Sequence, residues 1–404
     1  SLWLYSPLRP RSWSVDILCS FWEGRRAKMS GSSGGDEDWS KMPPVIHAMI
    51  HEDEIALDPD ADSLLPILRK SAAPEIWHKH GHFYSHLHDV WHMLCAWKQP
   101  QAVCRLGLFH SAYSNSFVSM NLYNPDTPAG RAELRDVIGA AAEEFVWKFC
   151  VINRQEMEQD ALNTGKIPAE GKDFAHIRTG EAVHCSAAEI GVFLVETTAD
   201  YQDQSFGWQS EMEAGHTDAI WPGLFKPTLR MSKVSKMAVV AKEYGQLEVV
   251  PPVFNNCSTI LTEQHELEAR DLYWSAVSEG SGGKQDDLIA KLTRASELNP
   301  FVAEPHAVRA QLLMQRGEWS RAADAAKSGL RSFYEWATQW DNRMPFTAWV
   351  SWTRCILLQS SFQEWPSTHG GMESLGAVHP SQKFRKLNDG RSFGEKPKAE
   401  EVEK

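Results

Sequence analysis

HFYSHLHDVWHMLCAWKQPQAVCRLGLFHSAYSNSF, residues 82–117, decides how this chain reads. Leu87, Val90, Trp91, Leu94 and Trp97 recur at helical spacing between His82 and Trp97. Lys98-Gln99-Pro100 ends that helix, because proline fixes φ and has no N–H to give. Val103, Leu106, Leu108 and Phe109 begin a second, more apolar helix that closes at His110-Ser111. Imidazoles crowd the start of this region: of 16 histidines, six (His78, His80, His82, His86, His88, His92) lie between positions 78 and 92. His78, His82 and His86 fall at i, i+4, i+8, one face of a helix if the helix extends that far back. His88 and His92 form a second i, i+4 pair, a spacing that lets two imidazoles share a metal ion. For each of these except His86, a solvated or hydrogen-bonded side chain is the plainer reading. Asp89 reads as a surface charge turned away from His86.

The flanking sequence continues the helical pattern. Tyr123 to Pro128 is a turn, and 131–150 follows as a third helix through Leu134, Val137, Ile138, Ala141, Phe145, Val146 and Phe149. Residues 163–174 read as a loop, 187–204 as another apolar helix, 215–227 as an irregular Trp-Pro-Gly segment and 232–244 as a further helix. Strand-like alternation is rare. The expectation is an all-α domain over 43–255.

A second helical block spans 262–362. Gly280-Ser281-Gly282-Gly283 turns between helices. DDLIAKLTRASELNP (286–300) and PHAVRAQLLMQRGEWSRAADAAKSGL (305–330) then give a helix, a break at Asn299-Pro300, and a helix pair turning at Arg316-Gly317-Glu318-Trp319. Ala322, Ala323 and Ala326 fall at small-residue positions. This block resembles the tetratricopeptide repeat, whose units of about 34 residues stack as helix pairs. The resemblance implies either a binding region for a protein partner or a helical cap on the first domain.

Composition narrows the class. At 404 residues the chain suits two or three domains. With 42% hydrophobic and 23% charged residues it is globular. A net charge of −12 gives no footprint for nucleic acid or an anionic membrane, and no apolar run approaches the roughly 18 residues of a spanning helix. Seventeen tryptophans spread along the chain point to several packed cores. The seven cysteines are scattered and form no CxxC pair, which fits reduced thiols of an intracellular, cytoplasmic protein. Residues 1–42 read as a disordered leader, basic and Ser-containing, which keeps organelle targeting open; Met29 is an alternative start. Residues 363–404, Gly-rich and then charged, read as a flexible tail.

The chemistry-bearing residues come in an order: His86 on a helix, a Pro turn, an apolar helix ending at His110, and about 90 residues later Asp200 on another helix, in Val195-Glu196-Thr197-Thr198-Ala199-Asp200. This order resembles the HD-domain superfamily of metal-dependent phosphohydrolases. The resemblance implies that His86, His110 and Asp200 are metal ligands. The family's His-Asp doublet is His110-Ser111 here, and a Ser hydroxyl brings no charge, so the two-metal site of that family is not expected. One divalent ion (Fe, Mn, Zn or Co) held by two imidazoles and a carboxylate is the expected cofactor. His82, one turn before His86, and His176 and His184, in the interval where HD-fold oxygenases carry additional histidines, are expected extra ligands. Glu143, on the third helix beside Arg135 and Glu144, is a candidate acid or base. His216 and Asp218, in a Gly-His-Thr-Asp segment before a Trp-Pro-Gly turn, are candidates at a pocket mouth. Ser111, Tyr113 and Asn115 are candidate substrate-binding groups.

No Walker-type loop, Gly-x-Ser-x-Gly elbow or Rossmann fingerprint is present. Three functions fit: a single-metal hydrolase acting on a small phosphorylated or similar polar substrate, an iron oxygenase on the same scaffold, and a non-catalytic ligand-binding or scaffold protein. None calls for nucleic acid or a membrane.

Overall fold

The computed structural model describes residues 38–78, 81–115, 118–204, 229–255 and 259–363. The described residues are mostly helical, as the periodicity predicts, with two short antiparallel strand pairs. His216 and Asp218, almost all of 1–42, and all of the tail after Gln363 lie outside the described residues.

The chain enters through α1 (Pro44–Ile50), α2 (Glu54–Leu57) and α3 (Ala61–Arg69). A small hairpin follows, β1 (Trp77–His78) with β2 (Gly81–His82). Helix α4 therefore starts only at Phe83 and runs to Ala96. His82 is its N-cap: the ring Nδ1 accepts the Ser85 backbone N–H at 3.1 Å. His78 and His82 are thus not on the helix, and the three-histidine face expected from i, i+4, i+8 does not form.

Helix α5 (Gln101–Phe109) begins after Pro100 and buries every residue from Val103 to Phe109. It packs on α4 through Gly107, where a Cβ would meet the Leu94 Cδ1 at 2.4 Å. The helix expected over 131–150 is two helices, α6 (Pro128–Ile138) and α7 (Ala140–Val151). Gly139 parts them at φ +88°, a backbone setting that non-glycine residues rarely adopt. Helix α8 (Arg154–Thr164) then precedes β3 (Lys172–Ala175) and β4 (Ala182–Cys185), so the hairpin begins at the end of the expected 163–174 loop.

Helix α9 (Ala187–Asp203) opens with a capping box, Ser186 with Glu189, worth about 1 kcal/mol. It packs on α10 (Met231–Tyr244), and Gly191 on α9 lies so close to Gly245 that a Cβ would fall 2.4 Å from the Gly245 carbonyl oxygen.

Five further helices complete the described chain: α11 (Glu263–Glu279), α12 (Gln285–Leu298), α13 (Glu304–Gln315), α14 (Trp319–Trp336) and α15 (Phe346–Phe362). Each packs on its successor. Gly317, at φ +74°, makes the α13–α14 turn, and Ala310, Ala322, Ala325 and Ala326 let these helices close around Leu313, Met314 and Ile356. The two blocks meet at Trp97, whose ring lies 5.8 Å from Phe254 and 5.9 Å from Trp336. Both indoles are fully buried, each removing about 200 Å² from water, on the order of 5 kcal/mol of apolar transfer. All described residues from Ser40 onward belong to one compact unit. Among them no helix is long and apolar enough to cross a membrane.

Candidate metal centre

Helices α4, α5 and α9 converge on one point. His86 lies one turn into α4, His110 caps the C-terminus of α5, and Asp200 lies in the last turn of α9. One donor atom from each falls within 4.8 Å of the others, and all three residues are buried. The chain thus brings together three groups separated by up to 114 positions, on helices whose apolar faces form the core.

The hydrogen bonds set the state of each group. The His110 Nδ1 lies 2.8 Å from the Gly107 carbonyl oxygen. A carbonyl only accepts, so Nδ1 carries the proton and Nε2 keeps its lone pair. Burial, and then the charge of His86 beside it, push His110 down to about 3, so the ring is neutral at physiological pH and can act as a ligand. The His86 Nδ1 donates to Asp203 Oδ2 at 2.6 Å, and its Nε2 lies 3.2 Å from Asp200 Oδ1. Burial opposes a charge on His86, but these two carboxylates outweigh it and raise the ring to about 9. Burial likewise opposes the charge of Asp200. The His86 hydrogen bond and the charges of His86 and Arg154 prevail, holding the carboxyl well below its usual range.

Three groups at this point escape the sequence reading. Asp203 orients His86 from behind. Arg154, on α8, brings its Nη1 to 3.9 Å from Asp200 Oδ2 while stacking on Phe149. Glu196, one turn before Asp200, is fully buried, and neither of its oxygens has a hydrogen-bond partner among the described residues. Its Oε1 is 3.2 Å from the His110 Nδ1, but that N–H is aimed at Gly107. Burial and the neighbouring Asp200 charge raise the Glu196 carboxyl well above its ordinary value. The signal was present: an apolar, buried helix carries acids at 196, 200 and 203, and buried acids are rare without a partner or a task. Asp89 is also not a solvated charge. It lines a cavity with Asp203, and burial and that neighbour raise its carboxyl well above normal.

The cluster opens on a cavity of about 570 Å³ whose wall includes Ser111, Ser119, Gln204, Arg154 and Arg230. The Ser111 hydroxyl accepts from Asn115 Nδ2 at 2.8 Å, so Ser111 reaches the cavity with Asn115 behind it. Tyr113 does not line this cavity: its hydroxyl donates to Glu143 at 2.9 Å. Glu143 is not an acid or base of this site. Although burial opposes its charge, Arg131, Tyr113 and Arg135 hold it ionised below its usual range, as a buried structural anion. His82 is exposed and caps α4. His184 is exposed on the β3–β4 hairpin and bonded to Asp173 at 2.7 Å. The His176 Nδ1 accepts the Arg178 and Thr179 backbone N–H groups. Neither of the last two joins the donor cluster: His184 lies on β4, and His176 directly follows β3.

Comparison with known proteins gives a partial match. No curated protein and no solved structure matches this chain. A family model described as Domain of unknown function (DUF6817) matches residues 67–154, a span that contains His86 and His110 but ends before Asp200.

Proposed function

We propose that this chain is a single-metal, HD-like hydrolase in which His86, His110 and Asp200 hold one divalent ion, Fe, Mn, Zn or Co, and that its substrate is small and phosphorylated or similarly polar. The observation that carries this is the meeting of the three buried donors within 4.8 Å at the wall of a 570 Å³ cavity. The donor set suits the ion. His110 is neutral with a free lone pair, Asp200 is ionised, and the proton that His86 shares with Asp200 occupies a place that calls for positive charge. A bound ion of this kind lowers the pKa of a coordinated water to near neutrality. The chain's own residues do the rest. Asp203 holds the His86 ring in one orientation. Arg154 and Arg230 line the cavity, and guanidinium groups suit phosphate oxygens. The oxygenase alternative drew on His176 and His184, which stand apart from the cluster, and it is not carried further.

Metal analysis of the purified chain, with hydrolysis of p-nitrophenyl phosphate and its diester, tests the reading. His110→Ala and Asp200→Ala should each lose one equivalent of metal and drop turnover by about 100-fold or more. Unchanged metal content in both variants, with helical circular dichroism retained, overturns it. Ser111, neutral where the resemblance expects a carboxylate, favours a second reading, a binding pocket without turnover. Metal lost in the variants but no hydrolysis of either ester by the wild type would identify that case.

A further inference from the structure

A second convergence lies on the other face of α4. The His88 Nε2 is 2.9 Å from Glu54 Oε1, and the His92 Nε2 is 3.0 Å from Glu54 Oε2. The two imidazole centroids are 4.0 Å apart. One donor atom from each of the three residues falls within 4.8 Å of the others, the same closeness seen at the first cluster. Tetrahedral zinc ligands, bound at about 2.0–2.1 Å, stand roughly 3.3 Å apart, so the present spacing needs only small adjustments. The i, i+4 spacing on a helix supplies the two imidazoles, and the first residue of α2 supplies the carboxylate.

Two further observations point to a cation. The side chains of His88, Glu54 and His92 are 17%, 15% and 12% exposed, sheltered yet within reach of an ion from water. A cavity of about 270 Å³ that His92 lines also bears Asp89 and Asp203, with no lysine or arginine among its described lining residues. Without an ion, each imidazole spends its Nε2 proton on one Glu54 oxygen. A divalent ion replaces both protons and leaves one or more positions for water.

We propose that Glu54, His88 and His92 form a second site for a divalent transition ion of the zinc class, which clamps the N-terminal helices to α4. The proposal does not depend on the first site. Its test is a titration of the full-length, metal-stripped chain with Co²⁺, followed by visible absorption, and with Zn²⁺ against a chromophoric chelator. The wild type is expected to take up two equivalents, and the His88→Ala/His92→Ala double variant one. Glu54→Gln, which keeps the side-chain shape, should weaken one equivalent by more than about tenfold, since even groups that only orient a ligand are worth about 10–100-fold. In the His110→Ala/Asp200→Ala background one equivalent should remain. One equivalent lost with His92 and none with His110 or Asp200 would sink the first site and leave this one standing. Ion uptake that is the same in wild type, Glu54→Gln and the His88/His92 variant overturns the proposal, as does a wild type that binds one equivalent held solely by His110 and Asp200. Should the double variants fail to fold, the wild-type stoichiometry and Glu54→Gln decide the matter between them.

Discussion

The imidazole of His86 is held from two sides by carboxylates, and the two do different work. Asp200 approaches the nitrogen that would face an ion; Asp203 takes the proton of the other nitrogen at 2.6 Å. A carboxylate behind a ligating histidine fixes ring orientation and raises ligand basicity. Asp203→Asn keeps a hydrogen-bond acceptor but removes the charge. It should weaken the ion at this site by about 10–100-fold while leaving the fold intact. Competition against a chromophoric chelator measures this, and an affinity equal to wild type would show that Asp203 acts only in packing. The residue scale also explains why Glu143 misleads. On the sequence it is an acid on an apolar helix. In the fold it is locked between Arg131, Arg135 and Tyr113. A group so firmly ionised makes a poor proton shuttle near neutrality.

Among the elements, α9 matters most, since it carries Glu196, Asp200 and Asp203. Its position is set by the close approach of two backbones at Gly191 and Gly245. A methyl group at 191 would sit 2.4 Å from the Gly245 carbonyl oxygen and 2.6 Å from its Cα, with no flexible side chain to yield. Gly191→Ala should therefore destabilise the protein by about 1–3 kcal/mol, the usual cost of overpacking, and should loosen the donor cluster by displacing α9. Chemical denaturation reads the first effect and metal affinity the second. Stability equal to wild type would mean that α10 can move aside freely. The hydrophobic spacing places α4, α5, α9 and α10 close to their observed positions, because each buries an apolar stripe of period 3.6. It misses the break at Gly139 and the two hairpins. A single glycine φ and strands of two to four residues leave too little periodicity to detect.

For the whole molecule, the C-terminal helices hold a titrating group in their core. Glu304, fully buried at the start of α13, accepts the backbone N–H groups of Trp340 and Asp341. Burial, aided by the Asp341 charge, outweighs those hydrogen bonds and pushes its carboxyl up to about 7 from 4.5. The folded state therefore binds this proton more tightly than the unfolded state. The resulting stability is complete below about pH 4.5 and is lost as pH rises through about 7, amounting to about 3 kcal/mol. Glu304→Gln mimics the protonated form. Between pH 5 and 7.5 it should unfold at a more constant denaturant concentration than wild type, with the gap between the two widening as pH rises. Parallel pH profiles would show that Glu304 does not titrate in this range. Because all described residues from Ser40 onward form one compact unit, with Trp97 packed on both Phe254 and Trp336, this change should register in the stability of the whole unit.

What the amino-acid order determined by itself is the helical class, the placement of most helices, and the identity of His86, His110 and Asp200 as groups worth bringing together. The first two follow from local rules, side-chain period and proline and glycine breaks; the three residues were singled out by the resemblance of their order to the HD-domain superfamily. Only the tertiary structure decided which polar groups share a point in space. It turned His82, His176 and His184 away, enlisted Asp203, Arg154 and Glu196, and set Glu54 against His88 and His92. The physical reason is that such meetings depend on how whole helices pack. Packing is a property of interlocking surfaces far apart in the chain, and no local pattern encodes it.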